Sequence, residues 1–297
     1  MSMQNNYVSE NFIESRKPPV LRSAGWSIAR VAGTAWLTAW IISGLGILWF
    51  LAYSNDVVFS FGGPDGFGVT ADPKFLEKYG PKLISGFETT LKLVAISIGL
   101  GALLSIPMTA MRMSKNRVLY SIAYGYVYFV RGTPLIAQIF LIYYGAGSFR
   151  PFLQDINLWW FFRDAWYCAV LALTLNTSAY QVEILRGSIQ NMPKGQWEAA
   201  AALGLPKWLT FWKIILPQAL IVSLRPYGNE IVLMIKGSAI VAIITILDLM
   251  GETRRAFSRT YDFQSYIWAA IMYLIMVETL RQIWEKIEQR LTRHLRR

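Results

Sequence analysis

Apolar runs of about 20 residues recur along the chain, the length a helix needs to cross a bilayer, and they predict a polytopic helical membrane protein. Residues 1–27 are polar, with Arg16, Lys17, Arg22 and a Pro18-Pro19 pair, and read as a disordered cytoplasmic arm. A first span covers 28–53 and ends on the interface-like cluster Trp49, Phe50 and Tyr53. Residues 54–82 are dense in Gly, Pro and Asp and read as a periplasmic loop. The second span covers 84–111. The third covers 117–145 and is interrupted by "RGTP" at 131–134. A mixed aromatic loop fills 146–164, and the fourth span covers 165–186. A patterned segment, 191–213, precedes the fifth span at 218–248, which Pro226 and Gly228 are expected to break. Residues 251–263 read as a polar loop. The sixth span covers 264–283, followed by an amphipathic basic helix whose end, 286–297, forms a cytoplasmic tail. That helix is either solvated, laid on headgroups, or a specific binding element.

Composition narrows the class. Of the 297 residues 54% are hydrophobic, which leaves little room for a large soluble domain. The net charge of +11 would point to nucleic acid in a soluble protein. In a membrane protein it is first explained by basic cytoplasmic loops, so no nucleic-acid partner is expected. Lys and Arg number 17 on the side of the two termini and 8 in the three opposite loops. That bias places both termini in the cytoplasm. One loop runs against it, with Arg254, Arg255 and Arg259 on the far side. Cys168 and His294 are single, so a disulfide, a Cys- or His-based metal site and a Ser-His triad are all disfavoured. The N-terminus lacks the build of a cleavable signal peptide. No phosphate-binding glycine loop with Gly-Lys-Ser/Thr occurs, so neither cofactor nor metal is expected, and any ATP-driven work falls to another polypeptide.

The segment "GQWEAAAALGLPKWLTFWKIILPQAL", 195–220, is too polar to span and too patterned to be a slack loop. Ala199 to Ala202 allow close approach to a helix backbone. Gly204 supplies a break, and Pro206 is placed to open a second helix. The expected unit is a helix–turn–helix lying along the membrane face, with Glu198 offering a carboxylate to a basic partner. Composition alone equally allows an amphipathic interfacial helix without a partner. Glu198-Ala199-Ala200, then Gly204, then Ile214-x-Leu216-Pro217 resembles the cytoplasmic EAA loop of bacterial ABC importer permeases.

The likeness extends to "YFVRGTPLIAQIFLIYYG", "SAYQVEILRGSIQNMPKGQWEAA" and "LPQALIVSLRPYGNEIVLMIKGSAI", which resemble the polar-amino-acid branch, the histidine/arginine/glutamine-type permeases. It covers roughly 84–285. The implied fold is all-α and polytopic: the five-span type I (MetI-like) permease core plus one extra N-terminal span, six transmembrane helices in all. By match, Glu198, Ala199, Ala200 and Gly204 would dock on the ATPase. The implied partners are a cytoplasmic ABC ATPase dimer, a second permease subunit (identical or paralogous), a periplasmic solute-binding protein, a polar amino acid or relative such as an opine, and membrane lipid. The implied location is the bacterial inner membrane. The chain itself would not be an enzyme. It departs from the branch's frequent Lys-Asp-Thr-Ser-Leu, having Lys236-Gly237-Ser238-Ala239-Ile240 instead.

An ionisable side chain at mid-membrane costs roughly 2.5–3.5 kcal/mol on insertion scales and so faces a cavity or a partner. Glu88 with Lys92, and Glu183 with Arg186, have the spacing of local helix pairs. Arg131 either binds carbonyls freed at the Gly132–Pro134 break or serves substrate or gating. Asn229, Glu230 and Lys236 lie in an interrupted span, where charges and freed backbone suit a zwitterion. Gln138 and Asn176 add neutral hydrogen-bonding groups that also suit interhelical contacts. The pathway set is therefore Arg131, Gln138, Asn229, Glu230 and Lys236. The rival readings are the same machine with another small solute and, from another class, a proton-coupled secondary transporter working through Glu88 or Glu230.

Overall fold

The computed structural model describes residues 58–61, 67–70 and 73–293. The expected arm and first span, 1–53, lie outside them. Apart from strand ends and residue 73, the described residues belong to one compact unit, 60–69 and 74–297. The described residues form helices joined by short turns, apart from a short pairing of β1 (Val58–Phe61) with β2 (Phe67–Thr70) within the stretch read as a loop. The all-α fold class stands, with this short pairing as the departure from it among the described residues. Among the described residues four helices are long and apolar enough to cross a membrane, or five if one bent pair is a single span.

Helix α1 (Pro73–Arg112) has 40 residues, about 60 Å at 1.5 Å per residue, so it overshoots the roughly 30 Å hydrocarbon layer. It begins eleven residues before the expected span. Two glycines let it approach its neighbours: a Cβ on Gly86 would lie 2.8 Å from the Asp248 carbonyl oxygen, and one on Gly101 would lie 2.5 Å from Thr177 Cγ2. Helices α2 (Arg117–Gly132) and α3 (Leu135–Ser148) form the bent pair, turning 104°. Thr133 is extended because the residue before a proline avoids helical dihedrals, and Pro134 has no N–H to continue the ladder. The carbonyls left over go to Gln138, whose Nε2 donates to Val130 O (2.7 Å) and Thr133 O (3.1 Å). Arg131 is not the group that binds them.

Short helices α4 (Arg150–Asp155) and α5 (Trp159–Phe162) fill the aromatic connection. Helix α6 (Ala165–Gln190) is the hub, started by Asp164, which accepts from the Trp166 N–H. Small and hydroxylated residues, among them Ala169, Ala172, Thr177, Ser178 and Ala179, are buried around it. They let α2, α3 and a later helix pack close, as bundles in lipid require.

The patterned segment forms α7 (Lys194–Ala202), a turn, α8 (Lys207–Thr210) and a π-helical turn at Phe211–Ile215, which runs straight into α9 (Leu216–Ser238) and a 3-10 stretch at Ala239–Ile244. Lys207–Ile244 is thus one rod of 38 residues. The expected break at Pro226 and Gly228 is corrected: the helix passes through both. Gly228 instead leaves the space for an indole, because a Cβ there would lie 2.3 Å from Trp284 Cδ1. The Trp284 N–H donates to the Leu224 carbonyl at 2.7 Å, close to the proline turn. The rod ends later, where Thr245 enters the left-handed region at φ 71°.

The expected polar loop at 251–263 is also corrected, since it is mostly α10 (Leu249–Thr260). Asp248 caps it, accepting from Gly251 N at 2.8 Å, and Leu249, Thr253 and Ala256 make a buried stripe. Helix α11 (Gln264–Leu291) carries the last span and the basic helix without interruption, packed along α9.

Candidate functional site

Helix α7 is pinned at its root and bare on its outer side. Ala200 is buried and Trp197 packs on a small core of Ile189, Met192, Ile215 and Ala219, joined by Phe211, Ile214 and Leu216. The helix is thereby attached to the end of α6 and the start of the rod at once. Its C-terminus closes as a Schellman turn: Leu205 N donates to Ala200 O and Gly204 N to Ala201 O, both at 3.0 Å, with Gly204 at φ 71°. Pro206 then caps α8 from extended backbone. Glu198, Ala199, Ala201 and Ala202 are exposed, and Leu203 is 77% exposed. Glu198 forms no ion pair among the described residues. The exposed ridge therefore consists of one carboxylate, small side chains and a leucine. Of the four residues matched from sequence, Glu198, Ala199 and Gly204 face outward, while Ala200 is buried at the root and is an anchor rather than part of the exposed ridge; the other anchor, Trp197, one helical turn before Ala200, was missed.

The membrane residues fall into three places. The first is a set of buried ties centred on α6. Asn176 Nδ2 donates to Gln138 Oε1 at 3.0 Å, and Thr177 Oγ1 donates to Glu230 Oε1 at 3.0 Å. Gln181 Nε2 donates to Thr177 Oγ1 at 3.1 Å, and the Tyr126 hydroxyl reaches Leu175 O at 2.7 Å. Gln138 and Glu230 are thus both buried, holding α3 and α9 to α6.

The second is an open cleft lined by Arg112, Tyr124, Tyr128, Arg131, Tyr180 and Glu183. Arg131 lies over the Tyr180 ring at 5.1 Å. Glu183 Oε2 accepts from Arg186 Nε at 3.0 Å, and the Arg112 guanidinium stands 3.4 Å from Glu183 Oε1 as an ion pair without a hydrogen bond, so its pairing is wider than the local one. The third is a groove between α9 and α11, where Asn229 sits with Arg225, Trp284 and Glu288. Asn229 therefore faces away from Glu230. Lys236 is exposed, with no partner among the described residues. Glu88 and Lys92 form an exposed ion pair at 2.7 Å.

Residues 97–293 match the family described as "Binding-protein-dependent transport system inner membrane component". The chain belongs to this family. Among its relatives, the nopaline transport system permease protein NocM of Agrobacterium fabrum (strain C58) is 44% identical over 217 residues, 73% of this chain and 90% of the relative. The octopine transport system permease protein OccM of Rhizobium meliloti is 39% identical over 73% of this chain and 89% of its own length. The arginine ABC transporter permease protein ArtM of Escherichia coli (strain K12) is 38% identical over 72% and 96%. A crystal structure of an amino acid ABC transporter with histidines superposes with a TM-score of 0.65 at 36% identity, covering 72% of this chain and 96% of that one. The inward-facing MetNI methionine ABC transporter shares the fold, with a TM-score of 0.61 at 19% identity over 73% of this chain and 99% of that one. The matched family range contains the α7–α8 loop, the cleft and the whole rod.

Proposed function

We propose that this chain is the permease subunit of an ATP-driven importer that carries polar amino acids or opine-type derivatives across the bacterial inner membrane. The observation that carries the reading is mechanical. The α7 ridge is rooted on the rod Lys207–Ile244, and the same rod carries Glu230 into the bundle. A push on Glu198, Ala199 and Leu203 therefore reaches the membrane interior through continuous helix. ATP binding closes a partner ATPase dimer, α7 moves with it, and the spans turn from inward-facing to outward-facing. Substrate arrives from a binding protein and leaves inward after hydrolysis. Arg131 at the cleft, with Glu230 and Gln138 behind it, is the part of the pathway set closest to such a passage. A second permease, identical or paralogous, completes the path. Six spans with both termini cytoplasmic agree with the Lys/Arg distribution.

The test is uptake of radiolabelled arginine, octopine and nopaline into proteoliposomes holding the permease pair, the ATPase and the binding protein. ATP-dependent uptake of at least one is expected; uptake without the ATPase overturns the reading. Gly204→Val places a β-branched residue at φ 71°. Because nothing lies within 4 Å of Gly204, the side chain meets no packed neighbour and the strain falls on the turn itself, which misaims the ridge. Glu198→Ala removes the outward carboxylate. Both are expected to lower uptake per ATP hydrolysed, Glu198→Ala by about tenfold through the loss of one charged contact; wild-type coupling in both removes the ridge from the docking role.

A further inference from the structure

The rod Lys207–Ile244 is about 57 Å long at 1.5 Å per residue, well beyond the roughly 30 Å hydrocarbon layer, so its ends emerge on opposite faces. The α7 ridge is at one end. At the other stands α10, and its surface has no use in the pathway or the ridge. Three arginines, Arg254, Arg255 and Arg259, are exposed within six residues. Arg255 leans toward Glu252 at 3.6 Å. Arg254 and Arg259 have no carboxylate partner among the described residues. Beside them is an aromatic cluster: the Phe257 ring contacts Tyr261 at 6.1 Å, Phe263 at 5.5 Å and Tyr266 at 5.1 Å. Tyr261 is 79% exposed and sits in the left-handed region at φ 54°, a costly place for a bulky residue, where it ends α10. Phe263 is 52% exposed.

We infer that this arginine–aromatic face of α10 is the docking contact for an acidic surface on the exported binding protein. The inference rests on the proposed orientation, in which α10 is extracytoplasmic. There, three arginines oppose the charge bias that orients the spans, so they are held against a cost. Free guanidinium forks next to an exposed tyrosine and phenylalanine have the make-up of a protein hot spot. The family is binding-protein-dependent, so a soluble protein must reach this end of the bundle. The face is also rigid: Asp248 caps the helix, and Gly251 packs so close to the Ile246 carbonyl that a Cβ would lie 2.3 Å from it. A preformed charged face speeds encounter and fixes register.

The experiment uses the whole transporter in nanodiscs of neutral lipid and measures the Kd of the labelled binding protein. Wild type is expected to bind more weakly as salt rises. Arg254→Glu with Arg259→Glu is expected to weaken binding by about tenfold or more at low salt, and Arg254→Lys with Arg259→Lys to recover most of it. Charge reversal of an acidic cluster on the binding protein is expected to restore affinity to the Glu variant. Unchanged affinity in the Glu variant overturns the assignment. So does an effect that appears only in nanodiscs containing anionic lipid, which gives the face to headgroups. ATPase co-purification is measured in parallel through the opposite end. If wild type captures neither ATPase nor binding protein, the importer reading itself fails. If it captures both and the variants are unaffected, only the α10 assignment fails.

Discussion

Two glycines on the same rod system illustrate opposite reasons for having no side chain. Gly204 has open space around it but a positive φ, so its constraint is backbone conformation. Gly228 has an ordinary helical backbone but a Trp284 ring against its Cα, so its constraint is volume. Gly228→Ala must push the indole aside, and overpacking of this kind costs about 1–3 kcal/mol. A lower melting temperature in detergent is the expected outcome. Pairing it with Trp284→Ala should cost less than the sum of the two single changes, since the collision is gone in the double variant. Additive losses instead mean that the two residues do not share this contact in solution.

At the scale of elements, the bend between α2 and α3 depends on one amide. Gln138 donates to Val130 O, Thr133 O and Thr133 Oγ1 and accepts from Asn176. Gln138→Leu takes the partner from the buried Val130 contact, at about 1–3 kcal/mol, and from the partly buried Thr133 groups. Gln138→Glu keeps the Asn176 acceptor but loses the donors. Both are expected to reduce the yield of folded protein, Leu more than Glu, as read by size-exclusion profile after extraction. The interruption itself was legible, because "RGTP" names it through Pro134, but the partner lies four residues past that proline and is visible only once the chain has turned. Helix α10 was not legible as a helix, since its low hydrophobicity hid a stripe of Leu249, Thr253 and Ala256 at helical spacing. The break assigned to Pro226 went wrong for a related reason. Sequence shows the missing N–H but not the Trp284 indole that packs beside it, 58 residues later. The α7 ridge was legible residue by residue, from Glu198 to Gly204, because its turn chemistry is local.

Within the unit of residues 60–69 and 74–297, the rod Lys207–Ile244 starts at the α7 ridge and is followed by the basic aromatic helix α10. For a push on the ridge to do more than tilt that rod, the rod must be held by its neighbours. Near the loop end, α11 supplies two contacts of different strength. The Arg225–Glu288 pair is 2.7 Å long, yet Arg225 is 79% exposed, so solvent screens it and it contributes little. The Trp284 ring fills the Gly228 gap and its N–H meets the Leu224 carbonyl; the ring is half-buried, so its loss costs less than the roughly 3–5 kcal/mol of a fully buried aromatic but still removes packing that solvent does not screen. The packing contact therefore dominates the ionic one. Glu288→Gln should leave the ratio of substrate imported to ATP hydrolysed within about twofold of wild type, as the small value of an exposed pair implies. Trp284→Ala should lower that ratio while ATPase capture persists, because the ridge still docks but the rod slips against α11. Equal ratios in wild type and Trp284→Ala would place the restraint on the α6 side of the rod, where Thr177 holds Glu230.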